Sequence, residues 1–396
     1  MNKYINYIII IFAFCVPISR AGISITTALL IILWFISLKD DFKTIKTKLF
    51  TNKVIIILGS FILYSLISLL YSNDFWSGLR YISKYWYFLV IIVIYTRLEV
   101  KYIPKVISAF LFSMLISEII SYGLFFELWH FKHGSSSDPT PFMNHLQYSM
   151  FLAFTALLLL NNFFTEHRLM YKYGYFIYFL TVTINLFING GRTGQIAFMI
   201  SIFIVGILNI KHKLKAFLII TILLGTILTI AYSFSPIFKH RMIAIKHDLQ
   251  QVVQNNNFHT SVGIRIGFYG ITYEALQEKP IFGHGVANIM TTISKYADSL
   301  PYDFKALKTM PHTHNDLLQI VVQLGILGGL LYILLFVSIG KIKIKHTQYK
   351  NLPIIFISVF IISSMFENMF HQQFSMVLFT LFVGLFLAQN RIENEI

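Results

Sequence analysis

Long apolar runs, separated by short polar stretches, recur from one end of this 396-residue sequence to the other. About 20 apolar residues wound as a helix span the ~30 Å hydrocarbon core of a bilayer, and a membrane admits only spanning helices or a closed barrel. Runs of this length without strict alternation predict helices. A soluble domain would need roughly 25% charged residues to cover itself, twice the 12% present here beside 56% hydrophobic. Nucleic-acid binding, secretion and a cytosolic enzyme are therefore excluded.

The fold class read from the sequence is an all-α integral membrane protein with about twelve transmembrane helices. They fall near 4–18, 22–37, 54–71, 81–95, 106–127, 143–161, 174–189, 195–210, 216–235, 316–339, 352–369 and 375–389. Residues 1–235 hold the first nine, 236–313 form one large loop domain, and 314–396 hold the last three. No internal repeat is visible. A transporter built from two six-span halves would carry its longest loop after the sixth span, whereas here it follows the ninth.

The net charge of +15 follows topology. With the N-terminus inside, most of the 32 basic residues fall on the cytoplasmic side, in clusters such as Lys39–Lys53, Lys211–Lys215 and Lys341–Lys350. Short loops on the other face carry only Arg20, Arg80, Lys84, Lys132 and Arg192. The positive-inside rule predicts both termini in the cytoplasm and the large loop outside. No small-residue cleavage site follows Phe14 and Cys15, so the first span is expected to remain as a helix. Cys15 is the only cysteine, which leaves neither a disulfide framework nor a thiolate metal cluster.

Within the loop domain, the polar stretch 245–263 predicts a mobile connection. Residues 264–279 set Phe268, Ile271 and Ala275 on one stripe, with Glu274, Gln277 and Glu278 off it. That pattern predicts an amphipathic helix lying on the membrane or on the bundle. Pro280 stops it, and Gly283 and Gly285 supply the turn that follows.

Three stretches on the outer face carry candidate chemistry. Asn189-Gly190-Gly191-Arg192-Thr193-Gly194 breaks the chain between the seventh and eighth spans and holds Arg192 near headgroup depth, to snorkel or to face an anionic ligand. Arg265 opens the amphipathic helix and reads equally as a solvated charge. Pro311-His312-Thr313-His314-Asn315-Asp316 precedes the tenth span. There Thr313 and Asp316 fit a helix cap, and the positive end of the helix dipole favours a neutral His314, suited to act as a base or simply to hydrogen-bond at the interface. Metal ligation by His312 and His314 would need a third ligand, and none is evident.

His314-Asn315, nine residues, then Gly325, two residues and Gly328 resembles the signature of bacterial O-antigen ligases, within the O-antigen ligase and polymerase superfamily. Arg192 after the seventh span, Arg265-Ile266-Gly267-Phe268-Tyr269, and Pro280-Ile281-Phe282-Gly283-His284-Gly285 resemble that family's other motifs, in the same order. The likeness covers roughly residues 185–330. Where the family often has an acid early in the tenth span beyond Asp316, this chain has Gln319 and Gln323.

The resemblance implies a glycosyltransferase of the bacterial inner membrane, working at the periplasmic face. It would move polysaccharide from an undecaprenyl diphosphate-linked donor to the lipid A core of lipopolysaccharide, inverting the anomeric centre. It also implies His314 as general base, with Arg192 and Arg265 on the donor's diphosphate. No cofactor and no metal are expected: the sequence has no Asp-x-Asp pair, and the outer acids Asp248, Asp298 and Asp303 are scattered. Arg80, Lys84, His312 and Asn315 are further candidates for substrate binding. Asn144, His145 and Gln147 read as cavity lining or as caps, and Glu367, His371 and Gln372 as part of a site or as an ordinary polar turn. Membrane lipids are the remaining partners, and nucleic acid is not one. The alternatives are an O-antigen polymerase, an oligosaccharyltransferase with a protein acceptor, and a transporter or flippase for lipid-linked sugars.

Overall fold

The computed structural model describes residues 1–130, 134–287, 289–299 and 303–395; Lys132 lies outside them. Among these residues the protein is helical throughout, with no strand beyond one isolated bridge. Among the described residues, nine helices are long and apolar enough to cross a membrane: Arg20–Ser37, Lys53–Tyr71, Phe75–Arg97, Val100–Phe125, His145–Thr165, Arg192–Asn209, Lys213–Phe234, Asp316–Gly340 and Gln373–Glu395. Asn2–Cys15 and Leu352–Ser364 are apolar but shorter, and the Tyr-rich Leu169–Ile188 is not among the nine. A helix thus stands at each of the twelve predicted positions. The fourth begins six residues before the predicted 81, and its middle, Lys84–Phe88, tightens to a 3-10 turn.

His145–Thr165 and Gln373–Glu395 lie innermost, hydrophobic on all sides as enclosed helices must be. Phe154 meets Phe356 and Phe382 edge to face, Phe382 at 4.5 Å. Lys213–Phe234 is peripheral and turns most of its aliphatic surface outward, toward lipid.

Between Phe234 and Asp316 the chain builds a helical subdomain of its own. Pro236–Asn255, Ser261–Glu278 and Ile289–Ser299 surround a separate core that includes Phe258, Phe268, Ile271, Ala275, Ile293 and Leu307. The stripe read from the sequence is the buried face of Ser261–Glu278. The stretch 245–263 is not a loose connection: helix runs through Asn255, which ends on a left-handed Asn256, and only 256–260 is irregular.

The turn after Pro280 docks into a break in a spanning helix. At Gly325 the Asp316–Gly340 helix departs from helical geometry, with φ 65° and ψ −166°, a region open essentially to glycine alone. Backbone groups freed at membrane depth must find partners in the protein. They do so on this turn: the amides of His284 and Gly285 donate to the carbonyls of Val322 and Gln323 at 2.9 and 2.8 Å. Conversely, the amide of Ile326 donates to the carbonyl of Pro280 at 2.8 Å. Gly283, at φ 71°, lies against Gly325, and a Cβ there would stand 2.5 Å from the Gly325 nitrogen. The two glycine motifs of the sequence are therefore two halves of one joint, which fixes the loop subdomain against the start of the Asp316–Gly340 helix.

Candidate active site

Asn315 is the N-cap of that helix: its Oδ1 accepts from the Leu318 amide at 3.0 Å, satisfying one of the free donors of the first turn. Thr313 and Asp316, expected to cap, do other things. The Thr313 hydroxyl donates to the Asn315 carbonyl, and the buried Asp316 carboxylate accepts the Phe370 amide at 2.9 and 3.1 Å. That last contact ties the turn after Leu352–Ser364 to the start of the helix. His314 lies just ahead of the cap rather than inside the first turn, at φ 53°, a left-handed conformation that is uncommon for a non-glycine residue and concentrated at functional sites.

The turn so held brings Glu367 between the two histidines. Its Oε2 is 2.9 Å from Nδ1 of His314 and its Oε1 is 3.2 Å from Nε2 of His312. Oε1 also accepts from the Gln372 amide group at 2.7 Å and from the Asn368 backbone at 3.1 Å. The carboxylate is only 1% exposed. Burial pushes its pKa up, but the His314 hydrogen bond and the charge of both imidazoles outweigh burial and hold it below the ordinary glutamate value. Glu367 is therefore ionised and can only accept.

This network fixes both tautomers. The His314 backbone amide donates to Nδ1 of His312 at 3.3 Å, so the His312 proton sits on Nε2 and points at Glu367. Burial, ahead of the opposing pull of Glu367, lowers the His312 pKa and keeps its ring neutral. The Nδ1–H of His314 donates a hydrogen bond to Glu367, which leaves Nε2 with a free lone pair. An imidazole whose far nitrogen is held by a buried carboxylate is the arrangement of a general base.

His314 lines a cavity of about 660 Å³ between the loop subdomain and the bundle. Arg192, Arg241 and Arg265 line it too, with His145 and several aliphatic side chains. Ser261, at the start of its helix, joins two of the arginines: its hydroxyl accepts from Nη1 of Arg265 at 2.9 Å and from Nη2 of Arg192 at 3.2 Å. Arg265 also donates from Nη1 to the Ser261 carbonyl and from Nε to the Phe366 carbonyl. Arg241 reaches over Gly190, where a Cβ would stand 3.1 Å from its Nη2. Among the described residues none of the three is within ion-pair distance of a carboxylate. Burial lowers the Arg265 pKa, against the opposing pull of Glu367 and Asp248; a guanidinium nonetheless keeps its proton.

The three residues singled out for catalysis, His314, Arg192 and Arg265, thus share one cavity. His312 and Lys84 line a neighbouring one. Asn315 lines neither of these two cavities, and Arg80 is exposed on the Phe75–Ser83 helix, away from both. Of the residues at the start of the sixth span, His145 faces the arginine cavity, while Asn144 caps its helix and, with Gln147, lines the second cavity. Sequence reasoning missed Arg241, Ser261 and the role of Glu367. Only Glu367 had a signal, as the single acid between Asp316 and Glu393, placed at the end of an apolar run.

One atom from each of His312, His314 and Glu367 lies within 4.8 Å of the others, so this group supplies the third metal ligand that the sequence lacked. The nitrogens turned toward Glu367 are at hydrogen-bond distance, and an ion between them would replace both of those bonds.

These features define a multi-pass helical membrane protein with a histidine–carboxylate pair and, among the described residues, three arginines without a carboxylate in ion-pair distance, at one end of its bundle. Residues 177–333 match the family model described as O-Antigen ligase, which shows the family likeness that the motifs carried. A curated protein of Rickettsia conorii named "Putative polysaccharide ligase RC0486" is 27% identical over 260 residues, or 57% of this chain and 62% of that protein. The chain thus spans less than two thirds of that relative. An uncharacterized protein of Haemophilus influenzae is 25% identical over 295 residues, covering 72% of this chain and 71% of its own length.

Proposed function

We propose that this protein is an O-antigen ligase, joining polysaccharide from undecaprenyl diphosphate to a sugar hydroxyl of the lipid A core at the periplasmic face of the inner membrane, with both termini cytoplasmic. The observation that carries the reading is a single cavity lined by three guanidinium groups without carboxylate partners and by a histidine whose free nitrogen is set by Glu367. A lipid-linked diphosphate is a doubly anionic leaving group near headgroup depth, and guanidinium forks suit its oxygens.

In this mechanism the acceptor hydroxyl attacks the donor's anomeric carbon from the face opposite the diphosphate. Its proton passes to Nε2 of His314 as the new C–O bond forms. The bond to the diphosphate breaks, and its electron pair leaves on an oxygen held by Arg192, Arg241 and Arg265. The anomeric centre inverts. Glu367 stabilises the imidazolium formed at His314 without taking its proton. The arginines supply the positive charge that a divalent ion supplies elsewhere, so chelators leave the rate unchanged.

The test is transfer by purified protein from undecaprenyl diphosphate-linked glycan to isolated lipid A core, with EDTA present. Transfer to core that survives chelation supports the ligase. Chain growth on a second lipid-linked repeat unit, without transfer to core, would assign a polymerase instead. Absence of any glycosyl transfer would favour a transporter.

A further inference from the structure

His312, hydrogen-bonded to Glu367 beside His314, also lines a second cavity, of about 610 Å³. His314 faces the arginine cavity and His312 faces this one, their ring centroids 4.5 Å apart. The linings differ in kind. Around the second cavity stand two cations, Arg20 and Lys84, six side-chain amides and no carboxylate.

Both cations are positioned without being neutralised. The His371 ring stacks on Tyr81 at 3.7 Å and 11°, and its Nε2 donates to the Tyr81 carbonyl at 3.1 Å. That leaves Nδ1 unprotonated and 3.5 Å from Nζ of Lys84, so Lys84 rests against a neutral acceptor. Arg20 lies over the Phe374 ring at 5.4 Å, and the Gln373 amide donates to the Arg20 carbonyl at 3.2 Å and to the Tyr87 hydroxyl at 2.7 Å. Neither cation is within ion-pair distance of a carboxylate among the described residues.

Side-chain amides and imidazoles match the alternating donors and acceptors of sugar hydroxyls, and uncompensated cations select anionic groups. We infer that this second cavity is the acceptor subsite, and that it takes a sugar bearing phosphate or carboxylate groups, which Arg20 and Lys84 recognise. The inference rests on the glycosyl-transfer reading above. It gives the two substrates opposite sides of one wall, the acceptor hydroxyl passing His312 to reach Nε2 of His314. Bond making and breaking are those already described, with the proton on His314 and the electron pair on the departing diphosphate.

The test is binding of core oligosaccharide, released from lipopolysaccharide by mild acid, to the full-length protein in detergent without donor. Wild type is expected to bind. Binding should weaken at least about tenfold in the double variant Arg20→Ala/Lys84→Ala, a loss typical of removing charge-assisted contacts, with Lys84→Arg binding like wild type. Enzymatic dephosphorylation of the oligosaccharide and reduction of its carboxyl groups form separate arms, and the treatment that weakens binding identifies the anion. Equal binding by the double variant, or by an oligosaccharide stripped of both anions, would overturn the inference. In the transfer assay the double variant should raise the acceptor KM and leave the donor KM unchanged. Because binding needs no turnover, charge-dependent binding without transfer removes the ligase reading alone, whereas transfer with charge-independent binding removes the subsite alone.

Discussion

The Phe75–Arg97 helix carries basic residues at its middle and at its end, and they are treated differently. Its last residue, Arg97, is buried and paired: Nη1 and Nη2 grip the Asp41 carboxylate at 2.7 and 2.8 Å, and Nη2 also donates to the Ser37 carbonyl. Arg391, nearby, donates to the carbonyls of Thr96 and Leu98. At the helix's 3-10 middle, Lys84 opens on a cavity with no acid in its lining, and Arg192, Arg241 and Arg265 share the adjoining one. The structural arginines Arg97 and Arg391 each have a carboxylate within ion-pair distance. The arginines around His314 lack carboxylates, which is how a site for an anion differs from a structural ion pair.

Substitutions that separate chemistry from structure test this contrast. The largest effect belongs to His314→Ala, expected to lower the transfer rate by about 10²–10⁴-fold, the usual contribution of a general base. Glu367→Gln comes next, at on the order of 10²-fold, because an amide can no longer hold the Nδ1 proton and the His314 lone pair turns away from the acceptor. Its signature is a fall in kcat with little change in either KM. Arg97→Ala should destabilise the fold by about 2 kcal/mol, short of the ~3–5 kcal/mol of a fully buried pair because Asp41 is partly solvated. Thermal unfolding in detergent measures it, and the donor KM should not move. Arg241→Ala is the mirror image, with donor KM raised about tenfold and an unchanged melting temperature. If Arg241→Ala melts early while Arg97→Ala alters donor KM, the contrast is wrong.

A separate effect is on pH-dependent stability. Burial, with the Lys84 charge, pushes the His371 pKa from 6.5 down to about 3. Between those values the unfolded chain binds a proton that the folded protein does not, so stability falls as pH drops from about 6.5 toward 3. Melting temperatures at pH 7 and pH 4 should differ less in His371→Gln than in wild type.

The sequence displayed the apolar runs because bilayer insertion demands them locally. The motif glycines were legible as turns, but not as a joint, since pairing Pro280–Gly285 with Val322–Leu327 is a tertiary event. The arginine cavity was half visible. Arg192 and Arg265 carried motif neighbours, whereas Arg241 stands in the Pro236–Asn255 helix with no motif around it, and only folding brings it over Gly190. Glu367 lies 53 residues from His314, and no local pattern links an acid at one turn to a histidine before another helix. Asn315 caps the Asp316–Gly340 helix while its Nδ2 donates to the Tyr269 hydroxyl and the Met365 carbonyl, both on residues that line the arginine cavity, and Arg80 is exposed on the Phe75–Ser83 helix.

The central claim is that the arginine cavity binds a lipid-linked diphosphate while His314 performs the chemistry beside it. Its most direct test is to measure, on purified His314→Ala in detergent, both binding of undecaprenyl diphosphate-linked glycan and its transfer to lipid A core. The account predicts donor binding within about twofold of wild type, the size of an indirect effect, with transfer lost. Near-normal transfer by this variant would contradict it.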